Sequence, residues 1–145
     1  MSSVIGQLNQ LQADAHALYV KIHNYHWNIK GIQFYPIHNK TEEIYDKLGE
    51  MYDDLAERAI QLGGNAVLTI GDIVSLTKIK EEKGDSFDAK YVLENIIKDF
   101  QYLKGQFQEL ANAADEVNDS TTVAMAEDEV AYFEKELWML GASLS

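Results

Sequence analysis

The chain has 145 residues, of which 46% are hydrophobic and 25% are charged, a composition typical of a soluble globular protein with one domain. It contains no cysteine, which excludes disulfide bonds and thiolate metal sites. The net charge of −12 argues against a surface that binds nucleic-acid phosphates, and no apolar run approaches the roughly 18 residues that a membrane span requires.

The first half of the chain carries two segments with apolar residues at helical spacing, and neither shows the alternation typical of a strand. The first segment covers residues 5–29 and the second covers residues 44–62. Pro36 is well placed for the first turn of the second helix. Gly63 and Gly64 are expected to end that helix, since glycine is common at helix C-termini.

The second half of the chain repeats this pattern after a connection. Residues 65–76 predict a short helical connector, and residues 77–86, rich in Lys, Glu, Asp and Gly, predict a loop. Apolar residues then recur at helical spacing over 93–114 and 123–144, separated by N-cap candidates at 118–121. We therefore predict an all-α four-helix bundle, a single domain over residues 1–145, with a short connector helix between helices 2 and 3. The connector is long for a tight turn, so it indicates a crossover.

Four residues have the side chains of a metal site but cannot meet within one chain. His26, His38, Asp53 and Glu57 offer imidazole nitrogen and carboxylate oxygen, a ligand set suited to first-row metals such as iron. On one helix, however, His38 lies roughly 22 Å from Asp53 and roughly 28 Å from Glu57, whereas metal–ligand bonds are about 2.0–2.2 Å long. A shared metal therefore requires a second copy of the chain.

The second helix carries an additional apolar stripe that suggests how two copies would pair. Beside its core-facing residues, a separate set falls at about 80–160° around the helix axis: Tyr45, Gly49, Tyr52, Ala56 and Ile60. Pairing two such helices antiparallel around residues 47–49 brings His38 and Glu42 of one chain opposite Asp53 and Glu57 of the other. Gly49 is expected to mark the crossing, and the dimer would hold two equivalent sites.

Each of these residues also has a simpler explanation. A histidine on a helix is commonly a surface or core-edge residue, and Asp53 with Glu57 could be a solvated acidic face. His16 and His23 are interpreted as structural or exposed residues. The complementarity under one symmetry operation gives the metal site about the same weight as these explanations.

Two local motifs carry a resemblance to a known family. Residues 23–31 read His-Asn-Tyr-His-Trp-Asn-Ile-Lys-Gly, and residues 53–63 read Asp-Asp-Leu-Ala-Glu-Arg-Ala-Ile-Gln-Leu-Gly. They resemble the HNxHWNxxG and DxxAERxxxLG segments of the Dps family of mini-ferritins, with Phe34 and His38 at the family's spacing. The resemblance is specific over residues 12–63 and looser towards 137–140. Among the branches it is most similar to the short-tailed form typified by the neutrophil-activating protein of gastric bacteria.

The resemblance implies a ferritin-like fold and an activity. Twelve chains of that family form a hollow shell that oxidises Fe(II), preferably with hydrogen peroxide, and stores Fe(III) as a mineral. The matching positions make His26 and His38 ligands from one subunit and Asp53 and Glu57 ligands from its partner. Two iron positions per site are implied, with Glu42 near the second.

The resemblance also raises roles for residues around the iron. Trp27 matches a tryptophan that passes electrons or intercepts radicals; the alternative is a core aromatic. Lys135 falls near the site in some relatives. A further hypothesis is a cation pore lined by four acidic residues near the start of the last helix: Asp115, Asp119, Glu127 and Asp128. The alternative is that these residues form a solvated helix end.

Two other functions are weighed against the iron-oxidising shell. A conventional di-iron bundle enzyme would carry Glu-x-x-His motifs, and none occurs in this sequence. A non-catalytic shell that coats DNA or contacts host cells is the main alternative. Because the first lysine is Lys21 and the C-terminal residues are uncharged, we expect no tight direct DNA binding. Residues 1–6 lack the features of a signal peptide, so a cytoplasmic location is expected.

Overall fold

The computed structural model describes residues 2–145, which form helices joined by short loops and one long connection. The helix bounds are α1 Ser2–Asn28, α2 Phe34–Gln61, α3 Ile70–Leu76, α4 Ala89–Glu116 and α5 Ser120–Leu144. Within residues 2–145 the only β-type pairing is an isolated bridge between Ile29 and Phe87. The all-α prediction and the four long helices are therefore confirmed.

The helix ends follow from local sequence chemistry. Pro36 lies in the first turn of α2, and Gly63, with φ of +88°, follows its last turn, as glycine can adopt this conformation at little cost. Asp88 and Asp119 cap α4 and α5 by accepting hydrogen bonds from the backbone N–H groups of Tyr91 and Thr122. The break predicted at 118–121 is thus confirmed, and Asp119 within it is the N-cap of α5.

The connector helix is shorter than the sequence predicted. Only Ile70–Leu76 is helical, because the Thr69 side chain caps the chain there by accepting a hydrogen bond from Asp72 N. Residues 65–69 run as irregular chain, and the loop predicted over 77–86 is confirmed.

The connection between α2 and α4 crosses the length of the bundle. Lys30 N donates to Phe87 O and Phe87 N donates to Asn28 O, so α4 begins beside the end of α1. The chain leaves α2 at the opposite end, about 40 Å away for a 28-residue helix. The predicted crossover is confirmed. Buried Asp14 fixes this connection to α1, since its carboxylate accepts from Thr77 Oγ1 and Lys78 N.

One hydrophobic core lies among the four long helices. Helix α1 packs on α2 and α4, and α4 packs on α5. The largest side chains in this core are fully buried: Tyr25, Phe100, Phe107, Phe133, Leu8 and Leu11. No helix within residues 2–145 is both long and apolar enough to cross a membrane.

The second apolar stripe of α2 packs partly against α1 of the same chain, a neighbour that the sequence did not predict. Tyr45 and Tyr52 contact Tyr19 of α1 in the same chain. A Cβ atom added at Gly49 would lie 3.2 Å from Tyr19 Cε1. Gly49 therefore allows close approach of α1 within the chain, and the crossing of two subunits at Gly49 stays a prediction. The helical wheel gave the direction of the stripe correctly but could not identify which helix fills it.

Candidate metal centre

Two histidine side chains lie against each other where α1 ends and α2 begins. His26 is buried and His38 is half-buried, and their rings stack with centroids 3.7 Å apart. His26 Nδ1 donates to the carbonyl oxygen of His38 at 2.8 Å. His38 Nδ1 donates to the carbonyl oxygen of His26, also at 2.8 Å. The short turn between the helices makes this reciprocal arrangement, which fixes both rings.

These hydrogen bonds determine the chemistry of the free ring atoms. A carbonyl oxygen only accepts, so each Nδ1 must carry the proton. In the neutral ring Nε2 then carries a lone pair, the form in which histidine binds metals. Burial lowers the pKa of His26, and this effect outweighs the attraction of Glu42, which raises it. The His26 imidazole is therefore neutral at pH 7 and is prepared to act as a ligand.

Thr41 supports this pair and was not recognised from the sequence. It is fully buried, and its Oγ1 lies 3.1 Å from His26 Nδ1 while donating to the carbonyl oxygen of Ile37. Partners of this kind fix the tautomer and orientation of a metal-binding histidine. The sequence feature that could have identified Thr41 is its position on the buried stripe of α2, about one turn after His38.

A group of carboxylates lies further along α2. Oxygen atoms of Asp53, Asp54 and Glu57 fall within 4.8 Å of one another, and all three residues are exposed. Asp54 was not among the ligand candidates that the sequence suggested. Three carboxylates this close repel one another at neutral pH, and a cation between them would relieve that repulsion.

The structure brings together only part of the predicted ligand set. His26 and His38 meet, and exposed Glu42 follows His38 by about one turn of α2. Asp53 and Glu57 lie on the same unbroken helix as His38, so the separation of roughly 22 Å between His38 and Asp53 remains. No movement of side chains within one chain can close that gap.

Trp27 is exposed beside the histidine pair, whereas His16 and His23 pack against tyrosine rings. Trp27 is 64% exposed, so its interpretation as a core aromatic is wrong; its ring lies 5.4 Å from the His23 ring. His23 and His16 stack on Tyr45 and Tyr52 respectively. Both histidines are thus structural, as the sequence predicted.

The acidic residues suggested for a cation pore, and Lys135, differ in burial and pairing. Asp119 is buried, and its Oδ1 accepts from Arg58 Nη2 at 2.9 Å, so it is not available to line a pore. Asp115, Glu127 and Asp128 are exposed. Lys135 is also exposed, and no ion pair within residues 2–145 connects it to the residues above.

The chain is similar to known proteins over nearly its whole length. A family model described as a ferritin-like domain matches residues 5–145. A DNA protection during starvation protein from Helicobacter pylori strain J99 is 44% identical over 138 residues, covering 95% of this chain and 96% of that protein. The crystal structure of Helicobacter cinaedi CAIP gives a TM-score of 0.97 at 42% identity, covering 98% and 99% of the two chains.

A third similarity concerns the chemistry of the fold. A DPS protein from Vibrio cholerae O1 is described as a member of a broad superfamily of ferritin-like diiron-carboxylate proteins. Its structure gives a TM-score of 0.95 at 33% identity and covers 99% of this chain and 90% of that chain. These similarities extend far beyond residues 12–63, where the sequence motifs lie.

Proposed function

Because this chain belongs to the Dps family of ferritin-like proteins, we propose that it is a mini-ferritin that oxidises Fe(II) and stores the resulting Fe(III) as a mineral. The sites of oxidation lie between two subunits, and the mineral lies inside a shell of twelve chains. Removing Fe(II) together with peroxide protects the cell from oxidative damage.

The observation that carries this proposal is the reciprocal hydrogen bonding of His26 and His38. It presents two Nε2 lone pairs from one small region of the chain. Two imidazoles alone are an incomplete site for iron, which also favours carboxylate oxygen. The exposed carboxylates of Asp53 and Glu57 supply what is lacking when they come from a partner subunit, and the two-fold axis then makes two such sites.

The ligand types suit the oxidation of iron. Imidazole nitrogen binds Fe(II), and carboxylate oxygen stabilises the harder Fe(III) product. Four ligands leave coordination positions open for the oxidant. Glu42 is exposed, and its charge acts on the pKa of His26, which supports a role for Glu42 in binding iron at a second position of the same site.

The proposed reaction is balanced with hydrogen peroxide as the oxidant. Two Fe(II) ions give one electron each, and one peroxide accepts both electrons with two protons to give two waters. No hydroxyl radical is released when both electrons arrive together. Detoxification of peroxide and storage of iron are therefore parts of one activity.

We further propose that protection of DNA by this protein does not require tight binding to it. The net charge of −12 per chain repels phosphate, and a shell multiplies that repulsion. In a gel-shift assay at low and physiological salt, we expect no retention of duplex DNA at the higher salt. Nanomolar retention there would contradict this part of the proposal.

Stopped-flow measurement of Fe(II) oxidation, with peroxide and with oxygen, tests the proposed function. The wild-type shell, with its mass verified, should oxidise Fe(II) faster with peroxide. The double variant Asp53→Ala/Glu57→Ala should assemble yet lose rapid oxidation by on the order of 100-fold or more, since outer partners of a metal site alone are worth about 10–100-fold.

The matched control is Asp46→Ala/Glu50→Ala, which removes two exposed carboxylates with the same spacing from the same helix. This control should oxidise iron at the wild-type rate. If the Asp53/Glu57 variant also retains the wild-type rate, the assignment of the site is wrong. A wild-type shell that assembles but does not oxidise iron would instead favour the non-catalytic alternative.

A further inference from the structure

A continuous row of aromatic rings runs along the contact between α1 and α2. At its centre, the Tyr19 ring lies 6.0 Å from the Tyr45 ring and 5.7 Å from the Tyr52 ring, centroid to centroid. His23 stacks on Tyr45 at 3.8 Å, and His16 stacks on Tyr52 at 4.2 Å. These separations are those of rings in contact. We call Tyr45, Tyr19 and Tyr52 the tyrosine row.

The two ends of the tyrosine row lie at different halves of the candidate metal centre. At one end, the His26 ring lies 5.2 Å from the Tyr45 ring. At the other end, Tyr52 directly precedes Asp53 in α2. The row therefore extends from a ring in contact with one histidine ligand to the residue that precedes a carboxylate ligand of a different site.

We propose that the tyrosine row carries electrons between the two iron sites of a dimer. This inference rests on the proposed function, in which one site takes His26 from this chain and the other takes Asp53. Each chain of the dimer then links both sites, and the two-fold axis supplies a second link in the opposite direction.

The need for such a link arises when each site holds a single Fe(II). Peroxide must accept two electrons to become two waters, but one Fe(II) supplies only one. The second electron comes from Fe(II) at the other site through successive oxidation and re-reduction of the three tyrosines. Each tyrosine gives its phenolic proton to water when it is oxidised and regains a proton when it is reduced. Two Fe(II), one peroxide and two protons thus give two Fe(III) and two waters.

Packing alone does not account for tyrosine at these three positions. Within residues 2–145, the hydroxyl groups of Tyr19, Tyr45 and Tyr52 make no hydrogen bond. Tyr25, Tyr91 and Tyr102 differ, because their hydroxyl groups donate to carboxylates. Phenylalanine would fill the same space in the tyrosine row, but it lacks the phenol that makes tyrosine readily oxidised.

The test removes the three phenols while it keeps the rings. In Tyr19→Phe/Tyr45→Phe/Tyr52→Phe shells, anaerobic titration should show Fe(II) binding unchanged at one ion per site. On addition of peroxide at that loading, the wild type should consume about one peroxide per two Fe(II). The triple variant should consume about twice as much, because each Fe(II) then reduces peroxide alone and releases a hydroxyl radical. A spin trap should report that radical, and the freeze-quenched tyrosyl signal should be lost.

Tyr132→Phe is the matched control. Tyr132 packs on Phe100 and Phe133 away from the tyrosine row, so its loss should leave peroxide consumption and radical yield at wild-type values. If the triple variant fails to assemble, Tyr19→Phe alone interrupts the row at its centre and should give the same changes.

Two failures are distinguishable. If the variant binds iron and shows the peroxide stoichiometry and radical yield of the wild type, the electron link is wrong and the proposed function stands. If the wild-type shell itself does not oxidise iron with peroxide, the proposed function fails and the link fails with it.

Discussion

His26 and His38 are held in place before any metal arrives, whereas Asp53 and Glu57 extend from the surface of α2 into solvent. The imidazoles are fixed through Nδ1 by each other's backbone carbonyl groups. The carboxylates are exposed, and together with Asp54 they form a group of like charges that repel one another. Two halves of one proposed site are thus prepared to very different degrees.

This difference indicates how the activity depends on assembly. A preformed imidazole pair needs little ordering when iron binds, so less of the binding free energy is lost as entropy. In the proposed function, the exposed carboxylates become ligands only when a partner subunit places them opposite the histidines. On this proposal, one chain contains two half-sites and no complete site.

The largest expected effect concerns the helix that carries the carboxylates. Arg58, next to Glu57, donates to Asp119 Oδ1 and to Thr122 Oγ1, which ties the end of α2 to α5. Asp119→Ala removes a buried ion-pair partner and an N-cap together, so we expect a loss of about 3 kcal/mol in the free energy of unfolding. Urea denaturation measures it. Exposed Glu116→Ala is the control. If that variant loses as much free energy of unfolding as Asp119→Ala, the contacts of Arg58 with Asp119 and Thr122 do not account for the loss.

A smaller effect should follow when the support of the histidine half is removed. Thr41→Val keeps the shape of the buried side chain but removes the oxygen beside His26 Nδ1. We expect Fe(II) affinity to fall by about tenfold, at the lower end of the range for such partners. Anaerobic titration checks this, with exposed Thr121→Val as control. Unchanged affinity would mean that the backbone carbonyls alone fix the ring.

The smallest effect is the pH dependence of stability that His26 contributes. Burial lowers its folded-state pKa below the ordinary value of 6.5. Between these two pKa values the unfolded chain binds a proton that the folded chain does not, so stability falls as the pH decreases through 6.5 and levels off below the folded pKa. Thermal unfolding of iron-free protein should show a weaker decrease for His26→Asn than for wild type. An identical decrease in both would contradict this account.

Local patterns in the sequence predicted the helices well. Apolar spacing identified the four long helices, and Asp119 lay among the predicted caps because capping depends on neighbouring residues. The separation of His38 and Asp53 was also predictable, since helix rise fixes it. The motifs of residues 23–31 and 53–63 indicated the family, and the matches over residues 5–145 confirm it.

Contacts between helices were not predictable in the same way. The wheel placed Tyr45, Gly49 and Tyr52 on one stripe, but only the structure shows that Tyr19 of α1 occupies it. The hydrogen bonds of His26 and His38 depend on the path of residues 29–33, which periodicity does not define. The sequence suggested Asp119 as a pore residue because it could not show the pairing of Asp119 with Arg58, which joins distant parts of the chain.

Mixing of two inactive variants tests most directly whether the site is shared between subunits. One variant carries His26→Ala/His38→Ala and the other Asp53→Ala/Glu57→Ala; each alone should lack rapid Fe(II) oxidation with peroxide. After they are unfolded together and reassembled in equal amounts, half of the dimers are mixed and each holds one intact site, so activity should return to about a quarter of the wild-type value. If the mixed shells assemble and remain as inactive as either parent, the four residues do not form one site across two subunits.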